Sequence, residues 1–197
     1  MSAALKLNLV SVEDYLAGEL ISPIKHEYVG GVVHAMAGAR VAHNVIASNI
    51  LGAVHARLRG KRCQVINSDM KVRLQVNDQN RFYYPDATVI CRSNPSTDSF
   101  QDEPAVIFEV LSKATRRIDL GEKKDAYLTC RSLQAYVLVE QDGPLVVVYR
   151  RGPAGFNREV YEGLDANVLL SEVEIELPLA EVYERVEFVP EPEDENA

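Results

Sequence analysis

The sequence predicts an α/β domain, bordering on α+β, with a mixed β-sheet flanked by helices. Three observations predict it. Residues 41–58 repeat apolar side chains with helical period, short β-branched and aromatic runs recur between turn signals, and a second helical stretch falls between two groups of those runs. The resulting order is helix, hairpin, helix, strands, helix, strands. A chain of 197 residues, 47% hydrophobic and 25% charged, suffices for one sizeable core. It reads as one domain over residues 1–189, followed by an acidic, disordered tail over 190–197.

Each element has a local cause. Ser11-Val12-Glu13-Asp14 has the spacing of a capping box and opens a short helix over 12–18. Gly30-Gly31 between two short runs, 25–29 and 32–36, is a two-residue hairpin signal. The helix 41–58 carries Val41, Val45, Ala47, Ile50, Leu51, Val54 and Leu58 as its apolar stripe, and Gly60 closes it. Residues 64–76 read as one strand, with Asp69 on the face that also carries Lys71 and Arg73. Residues 77–81 form a turn into a strand through 83–90. A loop over 92–104, long enough to cover a site, leads to a strand at 105–111. A helix begins between 115 and 120 and runs to about 130, with Gly121 weakening its first turn and Ile118, Ala126, Tyr127 and Leu128 as its buried positions. Strands follow at 134–139 and 145–149, joined across Asp142-Gly143, then at 158–161. An edge segment and a short helix over 179–186 complete the chain.

Composition excludes several classes. No apolar run approaches the roughly 18–20 residues that span a bilayer, and no leader pattern opens the chain. Cys63, Cys91 and Cys130 are far apart and odd in number, which fits neither a disulfide framework nor a zinc knuckle; a reducing, cytoplasmic setting is expected. The net charge of −8 is concentrated at one end. Residues 172–197 hold ten acidic residues and one basic, leaving residues 1–171 at about +1. The body is near neutral, so a local basic groove is compatible with it while a strong basic patch is absent. Neither GxGxxG nor GxxxxGK[ST] occurs, nor GxSxG or HExxH, so dinucleotide, P-loop, serine-hydrolase and zincin readings have no support.

The chemistry centres on two carboxylates inside apolar runs. Asp86 lies in Tyr83-Tyr84-Pro85-Asp86-Ala87-Thr88-Val89-Ile90, and Glu109 in Ala105-Val106-Ile107-Phe108-Glu109-Val110-Leu111. An ionised carboxylate in such a setting costs several kcal/mol of desolvation unless something pairs with it. A hard cation such as Mg²⁺ or Mn²⁺ is one such partner.

Pro85-Asp86, then Glu109-Val110-Leu111, then a basic helix resembles the PD-(D/E)xK nuclease superfamily. More closely, the chain resembles the Uma family of restriction endonucleases, common in cyanobacteria. The pieces are Lys25-His26-Glu27-Tyr28-Val29-Gly30-Gly31, His43, Asp69, Tyr84-Pro85-Asp86, Glu109-Val110-Leu111-Ser112, Arg117-Ile118-Asp119-Leu120-Gly121-Glu122-Lys123, Tyr127, and Tyr136-Val137-Leu138-Val139. They span roughly residues 10–185. The resemblance implies a restriction-endonuclease-like fold and a Mg²⁺-dependent (or Mn²⁺-dependent) cut in DNA by a homodimer. It implies Asp86, Glu109, Asp69 and the Val110 carbonyl as metal ligands, and Lys123, Glu27 and His43 as further catalytic groups. The chain departs from the superfamily at the triplet's third position, where Leu111 replaces lysine. The resemblance supplies the basic group from the following helix, at Lys123, and a flexible lysine there can reach the same spot.

Each residue also has a plainer reading. Asp69 pairs with Lys71 or Arg73, Glu27 with Lys25, and Lys123 with Asp119 in an exposed i,i+4 contact, while His43 packs and Asp86 is a structural acceptor. Two other functions stand beside the nuclease. Leu111 suits a nuclease-like fold that binds nucleic acid or protein without cutting, and the apolar residues of 168–189 suit a dimer interface.

Overall fold

Strands that neighbour one another in sequence divide here between two sheets, and the division places the site. The computed structural model describes residues 9–36 and 38–188; the acidic tail lies outside them. Helix α1 (Val12–Glu19) starts at Ser11, whose Oγ accepts the Asp14 N–H at 3.0 Å. Strands β1 (His26–Val29) and β2 (Val32–Ala35) form the predicted hairpin. Gly30 and Gly31 take φ of 55° and 99°, a turn that glycine makes without strain. Helix α2 (Val41–Leu58) has the predicted bounds. Its buried stripe is Ile46, Ile50, Val54 and Leu58, whereas Val41 is exposed.

The single strand expected over 64–76 is two: β3 (Gln64–Asn67) and β4 (Lys71–Val76). The cause is local. Asn67 Oδ1 accepts the Asp69 N–H at 3.2 Å and the Asn67 carbonyl accepts the Met70 N–H at 3.2 Å, a side-chain turn that competes with the ladder. The run at 83–90 also divides. Strand β5 (Gln79–Tyr83) pairs with β1 and β4, and β6 (Ala87–Ile90) pairs with β3. Tyr84-Pro85-Asp86 crosses between the sheets, where the missing proline N–H costs no ladder bond.

The first sheet has order β2-β1-β5-β4-β7, with β7 being Phe100–Gln101. The second has order β11-β10-β9-β8-β6-β3, comprising β8 (Pro104–Leu111), β9 (Ala135–Glu140), β10 (Leu145–Gly152) and β11 (Gly155–Glu162). Within it β8 and β9 run parallel. The crossover between them is helical: α3 (Arg116–Ile118), a π-helical turn over Asp119–Lys123, and α4 (Lys124–Thr129). Ile118, expected to be buried there, is 40% exposed. Residues alternate across β8. Val106, Phe108 and Val110 pack toward α2, while Ile107 and Leu111 pack with Tyr127 and Tyr136 on the other face.

Strands β12 (Asn167–Leu170) and β13 (Ile175–Pro178) form a hairpin, followed by α5 (Leu179–Val182). Val168, Leu170, Ile175, Leu177, Leu179 and Val182 are buried in the same cluster as Ile50 and Val54. The apolar surface expected to form a dimer interface is therefore spent inside the chain.

The cysteine reading also needs correction. Gln64 lies opposite Ile90 on the β3–β6 ladder, so Cys63 and Cys91, one step beyond, face each other and form a disulfide with Cα atoms 4.0 Å apart. Sequence spacing does not show that register. The pairing removes the cysteine ground for expecting a reducing compartment. Among the described residues no helix is long and apolar enough to cross a membrane.

Candidate active site

Two backbone events bring the acids together. At the sheet crossing, Asp86 Oδ2 accepts the Val110 N–H at 2.7 Å, tying the start of β6 to β8. On β8, Glu109 points to the face that the crossover helix covers, one residue from Val110. The helix reaches it through its π turn. An i→i+5 turn is wider than an α turn, and here it directs both Asp119 and Lys123 inward, leaving them 2% and 6% exposed. Gly121, which weakens an α-helical first turn, lies at the middle of this segment.

Lys123 is the hub. Its Nζ lies 2.8 Å from Glu27 Oε1, 3.4 Å from Glu109 Oε1 and 3.4 Å from Asp119 Oδ1. Glu109 Oε1 also accepts the Tyr127 hydroxyl at 3.3 Å. His43 Nε2 stands 3.3 Å from Asp86 Oδ2. His43, Asp86, Glu109, Asp119 and Lys123 line one cavity of about 570 Å³. Glu27 backs it from β1, joined to Lys123.

The electrostatics follow from burial and count. Desolvation pushes the Glu109 carboxyl well above the ordinary carboxylate range; Lys123 pulls it down, while Asp119, Asp86 and Glu27 push it further up. Burial opposes the charge on Lys123, yet Glu109, Glu27 and Asp119 outweigh it and hold the ammonium well above its usual value. For His43, burial alone lowers the ring; the hydrogen bond and charge of Asp86, with the Val110 backbone, reverse that and raise it. Four carboxylates thus surround one lysine and one histidine. Asp119 Oδ1 is buried without a hydrogen-bond partner. At 3.4 Å from Lys123 it gains charge attraction but not hydrogen-bond geometry.

The residues predicted from sequence divide clearly. Asp86, Glu109, Lys123, Glu27 and His43 converge, and the Val110 backbone sits among them. Asp69 does not join them: its side chain is 73% exposed and pairs with Lys25 at 2.6 Å, because the turn at 67–70 turns it outward. The pair expected between Lys123 and Asp119 exists, but it is buried. Asp119 and Tyr127 are additions to the site. The first reads in sequence as an ordinary helix-surface acid, and the second as core. The loop over 92–104 does not line the cavity; Asp102 instead clamps Arg73 through bonds of 2.6 and 2.9 Å.

Among the described residues no three His, Cys, Asp or Glu side chains are arranged to enclose an ion. The contacts above engage Oδ2 of Asp86 and Oε1 of Glu109, one oxygen of each. Two carboxylates and a carbonyl suit Mg²⁺, which binds through one or two carboxylates and keeps several waters. The excess of acidic over basic groups, and an Asp119 oxygen that Lys123 reaches only by charge, suit a cation there.

The chain matches, over residues 12–180, the Uma2 family, described as "Putative restriction endonuclease". It belongs to that family. Two relatives come from Synechocystis sp. (strain ATCC 27184 / PCC 6803 / Kazusa). "Uncharacterized protein slr1290" is 35% identical over 148 residues, covering 74% of this chain and 76% of that protein. "Uncharacterized protein sll1609" is 29% identical over 136 residues, covering 68% and 76%. A crystal structure from Anabaena variabilis ATCC 29413, titled a "putative nuclease belonging to DUF820", superposes with a TM-score of 0.68 at 18% identity, covering 88% of this chain and 97% of that one. At that identity the likeness is one of fold. The Uma2 chain therefore has a nuclease-like α/β fold, and family and fold together support a nuclease.

Proposed function

We propose that this Uma2 protein is a Mg²⁺-dependent endodeoxyribonuclease that hydrolyses DNA phosphodiester bonds in the cavity between its two sheets. The observation that carries this reading is the meeting of Asp86, Glu109 and Lys123, from three separated elements, on the wall of one cavity. Asp86, Glu109 and the Val110 carbonyl would hold the ion. When bound, Mg²⁺ (or Mn²⁺) lowers the pKa of a coordinated water and neutralises charge on the reacting phosphate.

The chain's own groups do the remainder. Lys123 is kept protonated by its three acids, so it acts as a donor: it orients the attacking water or meets a non-bridging phosphate oxygen. Glu27, at 2.8 Å, fixes where that ammonium points. His43, held against Asp86 and carrying a raised pKa, would hand a proton to the leaving oxygen. A homodimer belongs to the proposal because two such sites would suit cutting both strands. Leu111, which motivates the non-catalytic reading, is 2% exposed in the apolar cluster around Tyr127, and the ammonium missing from its position arrives from Lys123.

Supercoiled plasmid tests this. Nicking in Mg²⁺ or Mn²⁺, absent in chelator and lost in Glu109→Ala and Lys123→Ala variants that keep their circular dichroism, is the expected result. Undiminished cutting by those variants sinks the site assignment. DNA binding without cutting in any divalent ion transfers the chain to the binding-module reading.

A further inference from the structure

Four strands stand at the edges of the two larger sheets: β2 and β7 in the first, β3 and β11 in the second. Strands β2 and β3 have four residues each and β7 has two. Strand β11 has eight, paired with β10 along its whole length without a bulge. Among the described residues no other strand pairs with β11. Natural edges are kept from pairing by shortness, proline, lysine, bulges or charge. Strand β11 has no proline, lysine or bulge, and its charges are of both signs.

One face of β11 carries Phe156, Arg158, Val160 and Glu162. Phe156 packs in the cluster of Tyr127 and Tyr149, whereas the other three are exposed, Val160 at 48%. Neither the Arg158 nor the Glu162 side chain has a hydrogen bond or ion pair among the described residues. The backbone beside them is open as well. Bonded pairs recur at every second residue of an antiparallel ladder. One step beyond the Leu145–Glu162 pair, the Gly163 N–H bonds the Pro144 carbonyl at 2.9 Å. Arg158, Val160 and Glu162 therefore turn their N–H and C=O groups away from β10.

We infer that β11 is an interface between two copies of this chain, joined antiparallel, edge to edge, about a two-fold axis at Val160. In that register Arg158 of each copy faces Glu162 of the other, and Val160 faces its own counterpart. A strand that reads cation, aliphatic, anion at every second residue is complementary to itself when reversed, as an isologous contact requires. The same charges reject neighbouring registers. An axis at Arg158 or Glu162 sets like charge against like, and an axis at Glu159 sets that acid against its counterpart. Opposite charges directly across a strand pair attract and like charges repel, so the pattern selects one register. Residues that would guard this edge against a foreign strand thus admit a second copy. The inference does not depend on the nuclease reading, and it gives the homodimer of that reading a surface.

Sedimentation equilibrium on the full chain, from low to high micromolar concentration, tests this. The parent is expected to pass from one chain mass to two. Arg158→Glu places acid against acid twice across the axis, and Glu162→Arg places base against base twice. Each should weaken the dimer at least about tenfold, with circular dichroism unchanged because both side chains are exposed and unpaired. An equal mixture of the two variants should regain the dimer, since each then meets its complement at both contacts. A parent that stays monomeric overturns the inference and leaves the edge to a strand from another protein. A parent dimer that either reversal leaves equally tight, or a mixture that stays monomeric, also overturns it and moves the contact elsewhere. Plasmid nicking separates the two readings. A dimer that follows the charge pattern and never cuts keeps the interface and loses the nuclease; a monomeric parent that nicks does the reverse.

Discussion

Two cations in this protein are surrounded by carboxylates, and the difference between them separates scaffold from site. Arg150, on β10, gives Nε and Nη2 to Glu159 at 2.8 and 3.1 Å, Nη1 to both oxygens of Glu172 at 2.8 and 2.6 Å, and Nη2 again to the Leu169 carbonyl at 2.7 Å. Those contacts match all five guanidinium N–H donors. Lys123 has one close partner and two at 3.4 Å, and one of those two, Asp119 Oδ1, has no hydrogen bond. The first network is closed and ties β10 to β11 and the turn after β12. The second is open: it holds more negative charge than the lysine cancels, and it faces a cavity. A fold tolerates such an opening where a ligand completes it.

The sharpest way to break the contrast is Glu109→Gln. Lys123 keeps Glu27 at 2.8 Å when the Glu109 charge is removed, so a neutral amide of the same shape should cost the fold less than it costs catalysis. Cleavage should fall about 1,000-fold, the scale of losing a preorganised charge in an active site. Plasmid nicking and thermal melts measure the two sides, and equal losses in both would place Glu109 in the scaffold.

An ion supplies the next effect. If the open network is completed by a divalent cation, Mg²⁺ at a hundred times its dissociation constant should add about 2.7 kcal/mol of stability. Asp86→Asn should abolish the rise in melting temperature, whereas Arg150→Ala should leave it intact. A rise that persists in Asp86→Asn would move the ion elsewhere.

Much of this contrast was legible in sequence, and its gaps have physical causes. Asp86 and Glu109 were readable because carboxylates seldom sit in β-branched runs without a reason. Lys123 followed from the resemblance, since spacing alone gives an exposed pair with Asp119. The π turn that buries the pair depends on packing against β8 and has no signature beyond Gly121. Asp69 was misplaced because strand alternation across 64–76 ignores the turn that Asn67 nucleates. The Cys63–Cys91 pair depends on the β3–β6 register, a long-range fact. Helix α2 was legible to the residue, and the Gly30-Gly31 hairpin to within one residue at each outer end, because their signals are local: period in one, φ in the other.

Arg150→Ala tests the closed member of the comparison. Losing charge-assisted bonds to a partly buried guanidinium should cost about 1.5–3 kcal/mol, read from urea unfolding, with nicking unchanged. A loss of activity that outruns the loss of stability would show that the far edge of the six-stranded sheet communicates with the site.

The smallest effect belongs to His43, at the margin of the open network. Burial lowers this ring's pKa, and the Asp86 carboxylate with the Val110 backbone raises it beyond the ordinary 6.5. A histidine raised by folding stabilises the protein fully below its unfolded value, and the contribution disappears as pH climbs through the folded value. Unfolding free energy should therefore decline over a window that opens near pH 6.5 and closes just above the folded pKa. In Asp86→Asn the main upward cause is gone and burial remains, so the ring should titrate lower and the decline should flatten. Ring-proton NMR titrations of both proteins give the two pKa values directly. If His43 titrates identically in both, Asp86 does not govern its proton, and the acid role assigned to His43 falls while the Lys123 cluster is untouched.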